Sequence, residues 1–164
     1  MGSLGPPDLD LRPQGPARWA LGFAIQRCER CGYCADSLGE APVGAREAVE
    51  SVIYRDVLKR SGLPRLARSL FCSALVVEAA GDSEGAAWRL LQAAWSCDDK
   101  DRHSQARLCR ERAAEMFQRA LTDGDADVPD AVILTVIADL LRRAQRFEEA
   151  VEVATARRSP WGYA

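Results

Sequence analysis

The sequence predicts an all-α protein in which antiparallel helical hairpins stack into an array behind a short, irregular N-terminal segment that carries cysteines. Residues 1–43 hold five of the eight prolines and three of the six cysteines, whereas alanine, leucine, arginine and glutamate dominate from residue 44 onward. No strand-like alternation follows residue 43. Three helical hairpins begin at intervals of about 40 residues, a spacing typical of stacked helical repeats.

The change in composition divides the chain into three parts. We expect an extended arm and a cysteine knuckle over 1–43, a helical domain over 44–158 and a tail over 159–164. Dense proline and glycine prevent a long helix in the first part, because proline lacks an amide hydrogen and clashes with the preceding turn.

The first hairpin is predicted from its apolar spacing and its glycines. One helix runs over about 44–61 and a second over about 64–80, with Pro64 in a permitted first-turn position. Gly62 and Gly81 follow the two helices, where glycine commonly ends a helix. The apolar residues assigned to the first helix are Val49, Val52, Ile53 and Val57.

The other two hairpins follow from the same signals. Asp82 or Ser83 is expected to cap a helix over about 83–97, which a polar loop over 97–103 separates from a helix over about 104–121. An acidic loop, TDGDADVPD, then precedes helices ending near 144 and 158. In that loop Asp127 is the expected cap and Pro129 the expected first helical residue.

The last hairpin resembles a tetratricopeptide repeat. Its helices alternate large and small apolar residues, and the small ones allow two helices to approach closely. The middle hairpin matches less well, because its predicted loop is too long for the family. A generic helical bundle is the alternative. The residues that carry the resemblance are Ile137, Ala138, Leu141, Phe147, Ala150 and Ala154, then Trp88, Leu91, Trp95, Ala113, Phe117 and Ala120.

The segment Cys28-Glu29-Arg30-Cys31-Gly32-Tyr33-Cys34 is the one local motif with chemistry. Two thiolates separated by two residues reach one metal ion, and a following glycine permits the turn of a zinc knuckle. A structural zinc site has four ligands. Cys28, Cys31 and Cys34 are therefore candidate zinc ligands, with a fourth expected from Cys72, the region of His103, a second protomer or an upstream segment.

Two alternatives to zinc remain open for this motif: a vestigial knuckle with free thiols, and a redox pair. The remaining cysteines, Cys72, Cys97 and Cys109, lie on or beside predicted helices, and core packing is the expected role of Cys72 and Cys109. Cys97 and Cys109 flank one loop, but we do not expect a disulfide in a reducing cytosol.

With "CERCGY", the arm "DLDLRPQGPARWALGFAIQ" and the stretch "AAWRLLQAAWSCDD", the chain resembles a bacterial family of unknown function. The resemblance implies a cysteine-knuckle module joined to a tetratricopeptide-like helical module. It also implies an upstream C-P-x-C as the first half of the metal site. Here that half is missing, and Glu29 stands where the family commonly has proline. The family implies no reaction.

Composition and motifs exclude several function classes. A net charge of −2 gives no support for nucleic-acid or membrane-surface binding, and no apolar run reaches the length of a membrane span. No recognisable nucleophile–base pair is present, so we do not expect an enzyme. The N-terminal segment lacks the apolar core of a secretory signal, which predicts a cytoplasmic protein.

We therefore expect a non-enzymatic scaffold that binds a protein partner, or a second copy of itself, in a groove formed by the first helices of the hairpins. For Trp88 and Trp95 the alternative is packing in the core, and for Arg142 and Arg146 the alternative is a solvated helix face. The alternative function is a zinc- or thiol-dependent sensor using the cysteine cluster. The predicted groove residues are Trp88, Leu91, Trp95, Arg142 and Arg146.

Overall fold

The structure, a computed structural model, describes residues 9–13, 25–124 and 126–156. The described part is all-α apart from one two-stranded sheet. The strands are β1 (Gln26–Arg27) and β2 (Cys34–Ala35), and the helices are α1 (Ala45–Glu50), α2 (Val52–Lys59), α3 (Arg65–Ala79), α4 (Ser83–Asp98), α5 (His103–Asp123), α6 (Asp130–Arg143) and α7 (Phe147–Ala156). The predicted fold class is confirmed.

Short connections make successive helices antiparallel neighbours, so the helices from α3 to α7 pack in chain order. The loop of the middle hairpin is shorter than predicted. It covers only residues 99–102, because α4 continues to Asp98 and α5 begins at His103. The extra residues of this hairpin therefore lengthen its two helices rather than its loop.

The predicted helix over 44–61 is two helices with a break at Ser51. The backbone of Ser51 is extended, and its Oγ accepts a hydrogen bond of 3.2 Å from the Tyr54 amide, which caps α2. The break rotates α2 about its axis. Val52 and Ile53, predicted to face the core, are 75% and 64% exposed, and Tyr54 is buried instead.

Of the two other predicted helix caps, the one at Asp82 is confirmed and the one at Asp127 is wrong. Asp82 caps α4, because its carboxylate accepts a hydrogen bond of 2.6 Å from the Gly85 amide. Asp127 does not cap α6. Its backbone amide donates to the buried Glu84 carboxylate at 2.6 Å, which attaches the acidic loop to the start of α4. The predicted tail over 159–164 lies outside the described residues.

The core lies mainly between α3, α4, α5 and α6, and small residues allow α4 and α5 to pack closely. Phe117 is fully buried, and Trp88 packs edge-to-face on it with ring centroids 4.8 Å apart. None of the described helices combines the length and apolar character needed to cross a membrane. The buried alanines of the two helices are Ala86, Ala87, Ala93, Ala94, Ala106, Ala113, Ala114 and Ala120.

The last hairpin buries only part of its predicted repeat pattern. Ile137, Leu141 and Ala150 are buried, but Phe147 is 61% exposed and Ala154 is exposed too. No further helix covers this face of α7 among the described residues. Stacked hairpins are thus present, and the closer likeness to tetratricopeptide repeats stays a prediction.

The cap at Ser51 generates the first prediction. Ser51→Ala removes the acceptor for the Tyr54 amide, and we expect it to lower the free energy of unfolding by about 1 kcal/mol. Thr122→Ala is the control, because Thr122 is exposed and its hydroxyl donates to the Gln118 carbonyl of its own helix. Urea unfolding followed by circular dichroism measures both. Equal midpoints for the two variants would contradict the assignment of Ser51 as a cap.

Candidate functional site

The cysteine knuckle is a hairpin formed by β1, β2 and the turn between them. The strands are antiparallel, with Gln26 opposite Ala35 and Arg27 opposite Cys34. Inside this hairpin the Cys28 amide donates to the Tyr33 carbonyl at 2.8 Å, and the Gly32 amide donates to the Cys28 carbonyl at 2.9 Å. Gly32 has a left-handed backbone, as the turn of a knuckle requires.

Cys28 and Cys31 form a thiol pair at the molecular surface. Cys28 is half-buried, Cys31 is exposed, and the two side chains are hydrogen-bonded. The Cys31 and Arg30 backbone amides point at the Cys28 sulfur and lower the pKa of that thiol below its usual value. A thiolate of this kind is a nucleophile and a soft metal ligand.

Cys34 does not join this pair. It is fully buried, and its thiol contacts the thiol of Cys72 on α3. That contact lowers the pKa of Cys34 to about 7 and raises the pKa of Cys72 far above its usual value. The structure therefore brings together two of the three predicted zinc ligands.

No group of three or more histidine, cysteine, aspartate or glutamate side chains able to hold a metal ion occurs among the described residues. Of the candidates for a fourth ligand, Cys72 contacts Cys34, and His103 is the exposed first residue of α5. Two accessible thiols supply half of a tetrahedral zinc site. Zinc binding at the knuckle therefore stays a prediction that needs ligands from elsewhere.

Tyr54 fastens the knuckle to the helices. Its hydroxyl donates to the Gly32 carbonyl and accepts from the Cys34 amide, each at 3.0 Å. The ring is fully buried, and burial raises the pKa of this phenol well above its usual value. The break at Ser51 is what turns Tyr54 inward, so the cap of α2 also positions the thiols.

An apolar depression of about 600 Å³ adjoins the surface thiol pair. Its floor comes from the knuckle, α1 and α2, and charged side chains stand at its rim. Cys28 and Cys31 are among its lining residues, so a group that reacts with either thiol would contact this apolar surface. The apolar lining residues are Tyr33, Leu38, Ala41, Ala45, Val49 and Leu58, and the charged ones are Arg46, Glu50 and Arg55.

The predicted tryptophan groove is not an open surface. Leu91 and Trp95 are buried at 0% and 4% exposure, and Trp88 is half-buried against Phe117. The Trp88 indole also donates to Glu84 at 2.9 Å within its own helix. The stripe faces the core, because α5 and the N-terminal arm cover the side of α4 that carries it.

The arm supplies two buried charged residues that the sequence analysis did not single out. Asp10 is fully buried, and its carboxylate accepts a hydrogen bond of 2.9 Å from the Trp95 indole. Arg12 is 9% exposed, and its guanidinium donates to the Trp95 carbonyl at 3.0 Å and to Asp99 at 2.7 Å. The sequence signal for this burial was the alternation of charged and apolar residues before Pro13. An arm that is fully solvated has no need of such a regular pattern.

Oppositely charged groups surround the two arm residues. Arg143 on α6 approaches Asp10 at 4.0 Å and pairs with Asp139 at 2.7 Å. Asp98 lies 3.9 Å from Arg12 and pairs with the buried Arg110 of α5. Each buried charge thus has a partner, which offsets the cost of removing it from water.

The backbone of the arm makes a tight turn between Asp10 and Arg12. The Arg12 amide donates to the Asp10 carboxylate at 3.4 Å, and Leu11 between them has a left-handed backbone with φ of 59°. Such a backbone is uncommon for a bulky residue and persists where surrounding contacts determine it. The turn points Asp10 and Arg12 inward and leaves Leu9 and Leu11 at the surface.

Of the two predicted groove arginines, Arg142 lines a second depression, between α6 and α7, and Arg146 does not. Arg142 pairs with Asp139 at 2.6 Å, and Arg146 pairs with Glu149. Leu9 of the arm lines one side of this depression, which measures about 460 Å³. Its apolar lining includes Ala138, Phe147, Ala150, Val151 and Ala154.

In comparisons with known proteins, no protein-family model, curated protein or solved structure matches this chain. The resemblance to the cysteine-knuckle family stays a prediction.

The buried carboxylate of the arm generates the second prediction. Asp10→Asn keeps an acceptor for the Trp95 indole but removes the negative charge near Arg12 and Arg143. We expect it to lower the free energy of unfolding by about 1–3 kcal/mol, since the hydrogen bond from the Trp95 indole loses its charged acceptor and Arg143 loses an opposite charge at 4.0 Å. Urea unfolding measures the loss.

Asp36→Asn is the matched control, because Asp36 pairs with Arg89 at the surface and its loss is expected to cost under about 1 kcal/mol. If the two variants were equally stable, the buried network would contribute nothing.

Proposed function

We propose that this chain is a non-enzymatic protein-interaction scaffold whose helical groove binds an extended segment of a protein partner. The observation that carries the proposal is the arm itself. Residues 9–13 lie across α4 and α6, the first helices of the second and third hairpins, with Asp10 buried. This contact supports the proposal, because stacked hairpins commonly bind short non-helical segments across the first helices of their repeats.

The contacts define the chemistry that the groove selects. A carboxylate meets the Trp95 indole and Arg143, and two residues later a guanidinium meets Asp99 and the Trp95 carbonyl. An apolar residue before the carboxylate, Leu9, lines one side of the depression between α6 and α7. The preferred segment is thus apolar–acidic–any–basic, and mixed charge makes a protein a better partner than a nucleic acid.

The arm competes with any such partner. A segment attached to its own groove acts at an effective concentration that reaches the millimolar range, so an external peptide binds only when the arm is weakened or displaced. The proposal therefore describes a scaffold with an intramolecular occupant, and partner binding requires exchange of that occupant.

The third prediction tests the exchange with a labelled peptide Asp-Leu-Asp-Leu-Arg-Pro, the sequence of residues 8–13. In the full-length chain carrying Asp10→Ala and Arg12→Ala, the arm loses its buried contacts. We expect the peptide to bind this variant at least about tenfold more tightly than it binds the wild-type chain. Fluorescence anisotropy measures both affinities.

A peptide with its second aspartate and its arginine exchanged is the control and is expected to bind neither chain. Circular dichroism verifies that the variant is folded, and Arg12→Ala alone replaces it where the double variant is not. A folded variant that binds the two peptides equally would contradict selective recognition by the groove.

A thiol-dependent regulator is the second candidate function, and one observation favours it. Cys28 and Cys31 are the accessible cysteines, they contact each other, and an apolar depression adjoins them. Such a pair senses oxidants or soft metal ions because reaction at one sulfur places the product beside the other. Both functions are compatible in one chain, since the groove and the thiol pair involve different helices.

The fourth prediction concerns the reactivity of Cys28. Its lowered pKa increases the thiolate fraction at neutral pH, so we expect iodoacetamide to modify Cys28 before any buried cysteine. The rate should reach half its maximum at a pH below 9, because the pKa of Cys28 is lower than the ordinary thiol pKa of 9.0. Peptide mass spectrometry at successive times identifies the modified residue, and Cys31→Ser tests the contribution of the neighbouring thiol. First modification of Cys72 or Cys109 would contradict the assignment.

A further inference from the structure

All six cysteines of the chain occur as three contacting pairs. Cys28 and Cys31 form the surface pair described above. The other two pairs are Cys34 with Cys72 and Cys97 with Cys109, and each of these four residues is 0% exposed. Cys34 and Cys72 are 38 positions apart and Cys97 and Cys109 are 12 apart, so the fold rather than the local sequence brings the sulfur atoms together.

Core packing alone does not explain the pairing. A buried cysteine behaves as a small apolar residue and needs no second thiol beside it. Alanine fills most of the other small positions between α4 and α5, yet this interface places Cys97 against Cys109. One buried pair joins β2 to α3 and the other joins α4 to α5, so the fold brings two thiols together at two separate interfaces.

The register of each pair is fixed by neighbouring contacts. Asp98 follows Cys97 and Arg110 follows Cys109, and the ion pair between these neighbours sets the two helices at one height. Cys34 is held by hydrogen bonds from its amide to the Tyr54 hydroxyl and from its thiol to the Gly32 carbonyl. Cysteines joined by a disulfide lie close together with their side chains directed toward each other, and the hydrogen bond between the two thiols of each pair indicates this arrangement.

We propose that Cys34 with Cys72 and Cys97 with Cys109 are disulfide-forming pairs that become two structural disulfides during oxidative folding. The oxidant is a low-molecular-weight disulfide of the glutathione class. One protein thiolate attacks it, which forms a mixed disulfide and releases one small thiol. The second protein thiolate then attacks the mixed disulfide, which forms the protein disulfide and releases the second small thiol. Two protein thiols lose two protons and two electrons, and the oxidant gains them.

The two disulfides would join different parts of the fold. The bond between Cys34 and Cys72 attaches the knuckle hairpin to α3, and the bond between Cys97 and Cys109 attaches α4 to α5 beside the carboxylates that bind Arg12. The bond between Cys34 and Cys72 would also remove Cys34 from any zinc site. Because structural disulfides persist in oxidising compartments, the proposal favours such a compartment over the cytoplasm predicted from the sequence.

The experiment refolds the full-length reduced chain in a buffer of reduced and oxidised glutathione, then alkylates free thiols in denaturant. We expect the disulfides to protect all four buried cysteines from alkylation. Each disulfide should lower the intact mass of the chain by about 2 Da, because two hydrogen atoms are lost. Tryptic mapping without reduction should link Cys34 to Cys72 and Cys97 to Cys109. Reduction should lower Tm by about 5–10 °C, because each disulfide restricts the unfolded chain.

The controls separate the two pairs. Cys109→Ala, a change of small volume, should leave Cys97 free for alkylation and keep the link between Cys34 and Cys72. Cys28→Ser with Cys31→Ser should leave both buried links intact. Alkylation of all four buried cysteines in denaturant after the wild type has refolded, or links between the two pairs, would overturn the proposal. The readout is independent of peptide binding, so it stands or fails separately from the proposed scaffold function.

Discussion

The buried pairing of the arm with α4 and α6 is the interaction on which the rest of this structure depends. Asp10 and Arg12 carry opposite charges into a region where water cannot solvate them. They are stable there only because the Trp95 indole, Asp99 and Arg143 are positioned to meet them. Removing one partner leaves a buried charge, so the contact is specific in a way that apolar packing is not. This specificity supports a groove that selects its occupant.

The close packing of α4 on α5 is what places those partners correctly. Alanines on both helices let the backbones approach, and the ion pair of Asp98 with Arg110 fixes their register. The same register positions Cys97 against Cys109 and the carboxylates of α4 against Arg12. A single helix interface thus determines both the buried thiol pair and one wall of the proposed groove.

The surface thiol pair depends on a different constraint, the break in the first helix. An uninterrupted helix would bury Val52 and Ile53, but the cap at Ser51 turns Tyr54 inward. Its hydroxyl then holds the backbone on both sides of Tyr33 and sets the knuckle on α2. The knuckle and the helical domain are therefore joined through one side chain and the cluster of Cys34 with Cys72.

The sequence by itself determined the all-α class, the hairpins from α3 to α7 and the knuckle turn at Gly32, because apolar period, caps and glycine act over a few neighbouring residues. Only the tertiary structure decided the partners of distant residues. It separated Cys34 from Cys28 and Cys31, buried Leu91 and Trp95, and brought Asp10 to α4 and α6. These outcomes depend on which side chains meet across the core, and the local spacing of a single sequence carries no information about that.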